Sequence, residues 1–176
     1  GGGREFFIPQ DQDGSSRSDD RNLIQEFESR DYDYVSNVDE MQGSESGKLL
    51  GLFANSGMDS ENRTPTLKEM TNTALSKLEN NEKGFFLMVE GSQIDWGGHD
   101  NDQEYMISQF LEFNQTIEVV LEFAKKDKNT IVVVTADHET GGAAIVRGAL
   151  SSSKIKNLFA PPNHTASMVP VFSFGP

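Results

Sequence analysis

The chain carries three histidines, and each stands beside other groups that bind metals: Glu90-Gly-Ser-Gln-Ile-Asp95-Trp-Gly-Gly-His99, then Thr135-Ala-Asp137-His138, then Asn163-His164-Thr165. Carboxylate and neutral imidazole are donors that zinc accepts together, and a hydrolytic zinc site takes about three protein ligands and keeps one position open. Asp95 and His99 are four residues apart, so a helix opening after Gly91 puts both on one face, where they can chelate one ion. A solvated helix face is the competing reading of that pair. Asp137 and His138 come after an apolar run at a point where the chain turns; both can converge on one ion, or Asp137 can simply cap the next segment. His164 by itself reads as a loop histidine. Counted with Asp95 and His99 it completes a three-ligand open zinc site, while Asp137 and His138 supply two ligands for a second. Glu90 closes an apolar run, where a carboxylate is costly to desolvate unless a cation or donors meet it, and it suits a third, harder ion such as magnesium.

To bring these groups together the chain must place them at the ends of regular elements. Gly84-Phe-Phe-Leu-Met-Val-Glu90 and Thr130-Ile-Val-Val-Val-Thr-Ala136 are continuous apolar runs, each ending in an acid, and they predict strands buried on both faces. Between them, residues 102–126 predict a long helix with Met106, Phe110, Phe113, Ile117, Val120, Leu121 and Ala124 on one side. Strand, helix, strand with ligands at the strand exits is the α/β arrangement in which sites collect at the C-terminal ends of parallel strands. Earlier in the chain, residues 22–29 predict a short helix, 31–36 and 48–54 predict strands, and Thr66 with Glu69 marks a capping box before a helix carrying Leu67, Met70, Ala74, Leu75 and Leu78. Surface loops are expected near residues 10–21, 40–47, 55–65 and 148–162. A last strand is expected over 168–174, with Pro170 at its start or on a sheet edge. Arg147 is read either as an anion clamp or as a surface arginine.

At 176 residues the chain fits one domain able to bury a core. Its 15 basic against 28 acidic residues leave a formal charge of −13, which argues against a nucleic-acid backbone or an anionic membrane as the natural partner. An anionic substrate would be repelled by this field unless bound cations reverse it locally, so metal-dependent phosphate or sulfate chemistry fits best. The absence of cysteine excludes disulfides and thiolate sites. No apolar run approaches the roughly 20 residues of a membrane span.

Met88-Val-Glu90-Gly-Ser-Gln-Ile-Asp95-Trp-Gly-Gly-His99, Val134-Thr-Ala-Asp137-His138-Glu-Thr-Gly-Gly, and His164-Thr165 with Val169-Pro-Val-Phe after it resemble the alkaline phosphatases in order and spacing. Gly1-Gly-Gly-Arg-Glu-Phe-Phe and Pro65-Thr-Leu-Lys-Glu-Met also look like segments of that family. The resemblance implies a three-layer α/β/α sandwich with a mainly parallel sheet, of which residues 1–176 form a single partial domain. It implies two zinc ions, one on Asp95, His99 and His164 and one on Asp137 and His138, and one magnesium ion on Glu90. The implied chemistry is phosphomonoester hydrolysis through a phosphoserine. It further implies a homodimer for the full-length protein and a periplasmic or secreted location.

The departures from the family pattern carry expectations of their own. The family's Asp-Ser-Ala nucleophile motif does not occur in these residues, so the chain is expected to be the C-terminal part of a catalytic domain, supplying metal ligands but not the serine, inactive alone and prone to self-associate. Trp96 occupies a position near the phosphate where many members carry a polar or basic residue. Thr140 stands where a histidine that supports the metal ligands is often found. Two rival readings are a phosphodiesterase, sulfatase or phosphomutase of the same superfamily, against which Glu90 argues, and a non-catalytic metal-binding or interaction module.

Overall fold

The computed structural model describes residues 1–149 and 154–176, and the side chains of residues 147–149, 154 and 155 are likewise outside that description. Arg147, read as an anion clamp or a surface arginine, therefore lies outside the described side chains. Contacts divide the chain into two compact units, Gly1–Val89 and Glu90–Pro176. Among the described residues no helix is long and apolar enough to cross a membrane.

In the first unit, α1 (Leu23–Glu28) opens at Asn22, whose side-chain oxygen accepts from Gln25 N, and it buries Ile24. Ile24 joins Ile8 and Leu52 in a small core against which Phe7, Tyr34 and Leu50 pack. Strands β1 (Asp33–Val35) and β2 (Leu49–Gly51) pair in parallel, Tyr34 opposite Leu50, with α2 (Val38–Gly43) in the crossover between them. Helix α2 occupies the start of a stretch expected to be loop from residue 40. Its signal is local: Asn37 Oδ1 accepts from Glu40 N at 2.9 Å, and Glu40 Oε2 accepts in return from Ser36 N at 2.7 Å. One buried side chain, Met41, anchors it, so the hydrophobic periodicity that betrays longer helices is absent.

Helix α3 (Leu67–Leu78) begins where the capping box predicts. Thr66 Oγ1 accepts from Glu69 N at 3.2 Å, and Glu69 Oε2 accepts from Thr66 N at 2.8 Å, so two otherwise unpaired donors of the first turn are satisfied reciprocally. Leu75 is the buried apolar residue of its face.

The second unit is built on α4 (Gln93–His99) packed against α5 (Gln103–Asp127). Asp102 caps α5 by accepting from Glu104 N and Tyr105 N at 2.9 and 3.0 Å, and Lys125 and Lys126 lie at the C-terminal end, where the helix dipole favours cations. Gly97 permits the close turn between the two helices, because a Cβ there would lie 2.6 Å from Met106 N. The strands after α5 form antiparallel pairs. Strand β3 (Val132–Thr135) pairs with β8 (Val171–Phe174), which starts directly after Pro170; β4 (Glu139–Thr140) pairs with β7 (His164–Thr165); β5 (Ala144–Ala149) pairs with β6 (Lys154–Leu158). Strand β6 thus falls inside the stretch expected to be loop over 148–162.

Helices and small sheets make up both units, and the described strands do not form the mainly parallel sheet expected within a three-layer sandwich: one strand pair is parallel and three are antiparallel. The reason lies in the two apolar runs. Residues 85–91 are assigned to no strand, and Phe86 and Met88 are 88% and 77% exposed, so the first run is not the doubly buried strand its composition predicts. The second run does form β3, yet its partner is the antiparallel β8, and Val133 stays 59% exposed. An apolar run records a capacity to be buried between neighbours; it does not say which neighbours. On helix α5 the expected face holds in the main, with Ala124 buried and Met106, Phe113, Ile117, Val120 and Leu121 half-buried; the departures are Phe110, which is exposed, and Gln109 and Thr116, which are buried.

Candidate metal centre

One turn of α4 separates Asp95 from His99 and brings His99 Nε2 to 3.4 Å from Asp95 Oδ2. Strand β7 delivers His164, whose Nε2 lies 3.1 Å from His99 Nε2 and 3.6 Å from Asp95 Oδ1. Ligand atoms of these three residues all fall within 4.8 Å of one another. His99 Nδ1 is 2.8 Å from Pro162 O, and a carbonyl only accepts, so the partner assigns the proton to Nδ1 and leaves a lone pair on Nε2. Two imidazole nitrogens and a carboxylate are thus crowded together. One proton can relieve one of these contacts, whereas one divalent cation relieves all of them. The imidazole spacing also suits zinc: at a Zn–N length of about 2.0–2.1 Å, tetrahedral ligand atoms sit roughly 3.3 Å apart, close to the 3.1 Å between the two Nε2 atoms, while the two carboxylate oxygens of Asp95 face one imidazole each at 3.4 and 3.6 Å.

Asp137 and His138 follow β3 after one intervening residue, Ala136, with His138 Nε2 3.2 Å from Asp137 Oδ2. Asp137 Oδ1 also accepts from His138 N at 3.1 Å, and the carboxylate is otherwise open to solvent. The His138 ring stacks on that of His164, centroids 3.5 Å apart and planes 23° from parallel, so the two histidine-bearing turns adjoin. Thr140 links the two groups: its Oγ1 donates to Asp95 Oδ1 at 2.5 Å and lies 3.2 Å from His138 Nδ1. The hydroxyl has one proton, and an ionised carboxylate only accepts. The proton therefore goes to Asp95, the Thr140 oxygen accepts from His138 Nδ1–H, and His138 Nε2 carries the lone pair that faces Asp137.

Glu90 is exposed at the end of the extended segment and is not among the three residues brought together. Trp96 neighbours Asp95 on α4 and is 43% exposed. Other participants carry weaker signals in the sequence. Gly98 and Gly141 let α4 and the turn after β4 touch through their backbones, since a Cβ on Gly141 would lie 2.6 Å from Gly98 O and one on Gly98 would lie 2.9 Å from Thr140 O. The φ of +85° at Gly141 adds a second reason for glycine. The Pro162 carbonyl has no signature at all. Glu139 accepts from Ala143 N at 3.0 Å, from Gly142 N at 3.2 Å and from the Thr165 hydroxyl. Burial pushes this carboxyl up, and those three donors, with a smaller attraction from His138, outweigh it and hold the group below the usual glutamate range.

The family profile described as alkaline phosphatase matches residues 1–176. Alkaline phosphatase 3 of Bacillus subtilis (strain 168) is 46% identical over 157 residues, covering 87% of this chain and 33% of that protein. Alkaline phosphatase 4 of the same organism is 42% identical over 176 residues, covering 98% and 35%. Among solved structures, alkaline phosphatase from the Antarctic bacterium TAB5 superposes on 100% of this chain and 52% of its own with a TM-score of 0.86 at 33% identity. A TAB5 alkaline phosphatase mutant with Mg bound in the M3 site matches 100% of this chain and 53% of its own, with a TM-score of 0.82 at 31% identity. The chain spans about a third of the length of these curated relatives.

Proposed function

This chain belongs to the alkaline phosphatase family, and from that premise we propose that it is the metal-ligand-bearing part of a phosphomonoester hydrolase working through a phosphoserine, with the serine supplied from outside these residues. The observation that supports this most directly is the convergence of Asp95, His99 and His164. In this reading those three hold one zinc ion, Asp137 and His138 contribute to a second, and Glu90 contributes to a magnesium site. When bound, such ions supply Lewis-acid stabilisation of charge on phosphoryl oxygens. They also locally reverse the field of a chain with formal charge −13, which would otherwise repel a phosphate ester.

The chain's own residues do the positioning. Pro162 O holds His99, and the Thr140 hydroxyl holds His138, each by the Nδ1–H, so that both Nε2 atoms are presented as donors of electron pairs. Trp96 offers the substrate side of α4 an apolar, stacking surface. The reading takes residues 1–176 as a single partial domain and assigns the three-layer sandwich, the homodimer and export from the cytoplasm to the longer protein.

Two measurements test it. In the whole protein, Zn²⁺ titration should detect binding that His99→Ala and His164→Ala each weaken at least about tenfold, and chelation should abolish hydrolysis of a phosphate monoester. Activity on monoester, diester and sulfate ester should rank in favour of the monoester. Preference for a diester or sulfate ester would instead point to a sibling of the superfamily, and metal binding without any turnover would point to a non-catalytic module.

A further inference from the structure

Glu139 is half-buried, follows His138 in the chain, is not one of the three residues whose ligand atoms converge, and accepts three hydrogen bonds through its carboxylate. Strands β4 and β7 are two residues each, paired Glu139 with Thr165 and Thr140 with His164. So short a ladder has little stability of its own. Successive side chains in a strand point to opposite faces. One face therefore carries Thr140 and His164, toward Asp95; the other carries Glu139 and Thr165. On that second face Glu139 Oε2 accepts from the Thr165 hydroxyl and from Gly142 N, and Oε1 accepts from Ala143 N. The positive φ angles of Gly141 and Gly142, +85° and +58°, fold the turn back so that the Gly142 and Ala143 N–H groups reach the side chain of Glu139.

We propose that Glu139 is a positioning residue for the metal centre: its carboxylate clamps β7 to the turn after β4 and so fixes His164 against His138. His138 precedes Glu139 and His164 precedes Thr165, so the clamp sits one residue from both rings, which stack at 3.5 Å. Loosening it leaves every ligand in the chain but frees His164 to move relative to Asp95 and His99. The inference rests on the metal-binding reading above and extends it to a residue outside the converging group of Asp95, His99 and His164.

The test compares Glu139→Ala, the near-isosteric Glu139→Gln and Thr165→Val with the unsubstituted whole protein, using Co²⁺ as the probe through its visible absorption and Zn²⁺ affinity by chelator competition. All three substitutions should weaken Zn²⁺ binding about 10- to 100-fold, the usual effect of removing a group that orients a metal ligand, and should alter the Co²⁺ spectrum. Thr165→Ser, which keeps the hydroxyl, should restore both. Thr66→Ala, which removes a cap remote in the chain, should lower the melting temperature while leaving the spectrum unchanged, separating positioning from loss of stability. Unchanged affinity and spectrum in Glu139→Gln and Thr165→Val, with the unsubstituted protein binding Co²⁺, would overturn this inference alone. No Co²⁺ binding by the unsubstituted protein would overturn it together with the proposed function.

Discussion

Thr140 shows how much of the candidate metal centre depends on one proton. Its hydroxyl can both donate to Asp95 and accept from His138, and the observed contacts of 2.5 and 3.2 Å use both capacities. Thr140→Val keeps the shape and removes the hydroxyl, which leaves Asp95 Oδ1 without that donor and His138 free to present either nitrogen. Metal affinity should fall about 10- to 100-fold by calorimetric titration, and Thr140→Ser should retain it. Equal affinity in the valine variant would show that ring stacking on His164 is enough to orient His138. Of the residues singled out for chemistry, Asp95, His99 and His164 converge and Thr140 joins Asp95 to His138, while Glu90 is exposed and is not one of those three. A magnesium role for Glu90 needs oxygen ligands beyond those assembled here.

Elements were legible where local chemistry is strong. Helix α3 is the clearest case, since the Thr66 and Glu69 pair specifies its start to the residue. Thr66→Ala should destabilise the protein by about 0.5–2 kcal/mol, read from denaturant unfolding. The hydrogen bonds from Thr66 N and Thr66 Oγ1 hold the Glu69 carboxyl below its ordinary value. A folded-state pKa lower than the unfolded one contributes stability that is fully present above about pH 4.5 and is lost as pH falls through the lowered folded value. Glu69→Gln should therefore flatten the acid limb of the stability profile, and an unchanged acid limb would contradict the assignment. Helix α2 escaped the same reading because Asn37 and Glu40 cap a helix with a single buried apolar residue, Met41. Helix α5 is legible in extent and, but for Phe110, in facing; the burial of Gln109 and Thr116 is what its apolar pattern does not foretell. Periodicity finds a helix from the repeat of its apolar residues, while the face that becomes buried depends on what packs there.

At the scale of the whole molecule, the exposed apolar residues demand a consequence. Met168, Phe86, Met88, Val171 and Phe172 are 99%, 88%, 77%, 69% and 63% exposed, and among the described residues β3 and β8 form a two-stranded sheet. Unpaired edges beside apolar side chains favour association, while the charge of −13 opposes it. Sedimentation velocity on the isolated chain should therefore show concentration-dependent self-association that strengthens with added salt, as screening removes the repulsion. A monomer at every concentration and ionic strength would contradict this.

The sequence by itself determined the donor types, the i,i+4 placement of Asp95 and His99, the start of α3, the extent of α5 and the kinship with the alkaline phosphatases. All of these are properties of neighbouring residues or of short spacings. Only the tertiary structure decided that His164 meets His99, that the Pro162 carbonyl and the Thr140 hydroxyl direct the imidazole protons, that Glu139 ties β4 to β7, and that β3 pairs with β8. Those facts join residues as many as 65 positions apart, and hydrogen bonds between such distant groups are set by how the backbone brings two turns together. Nothing in the local order of side chains encodes that distance.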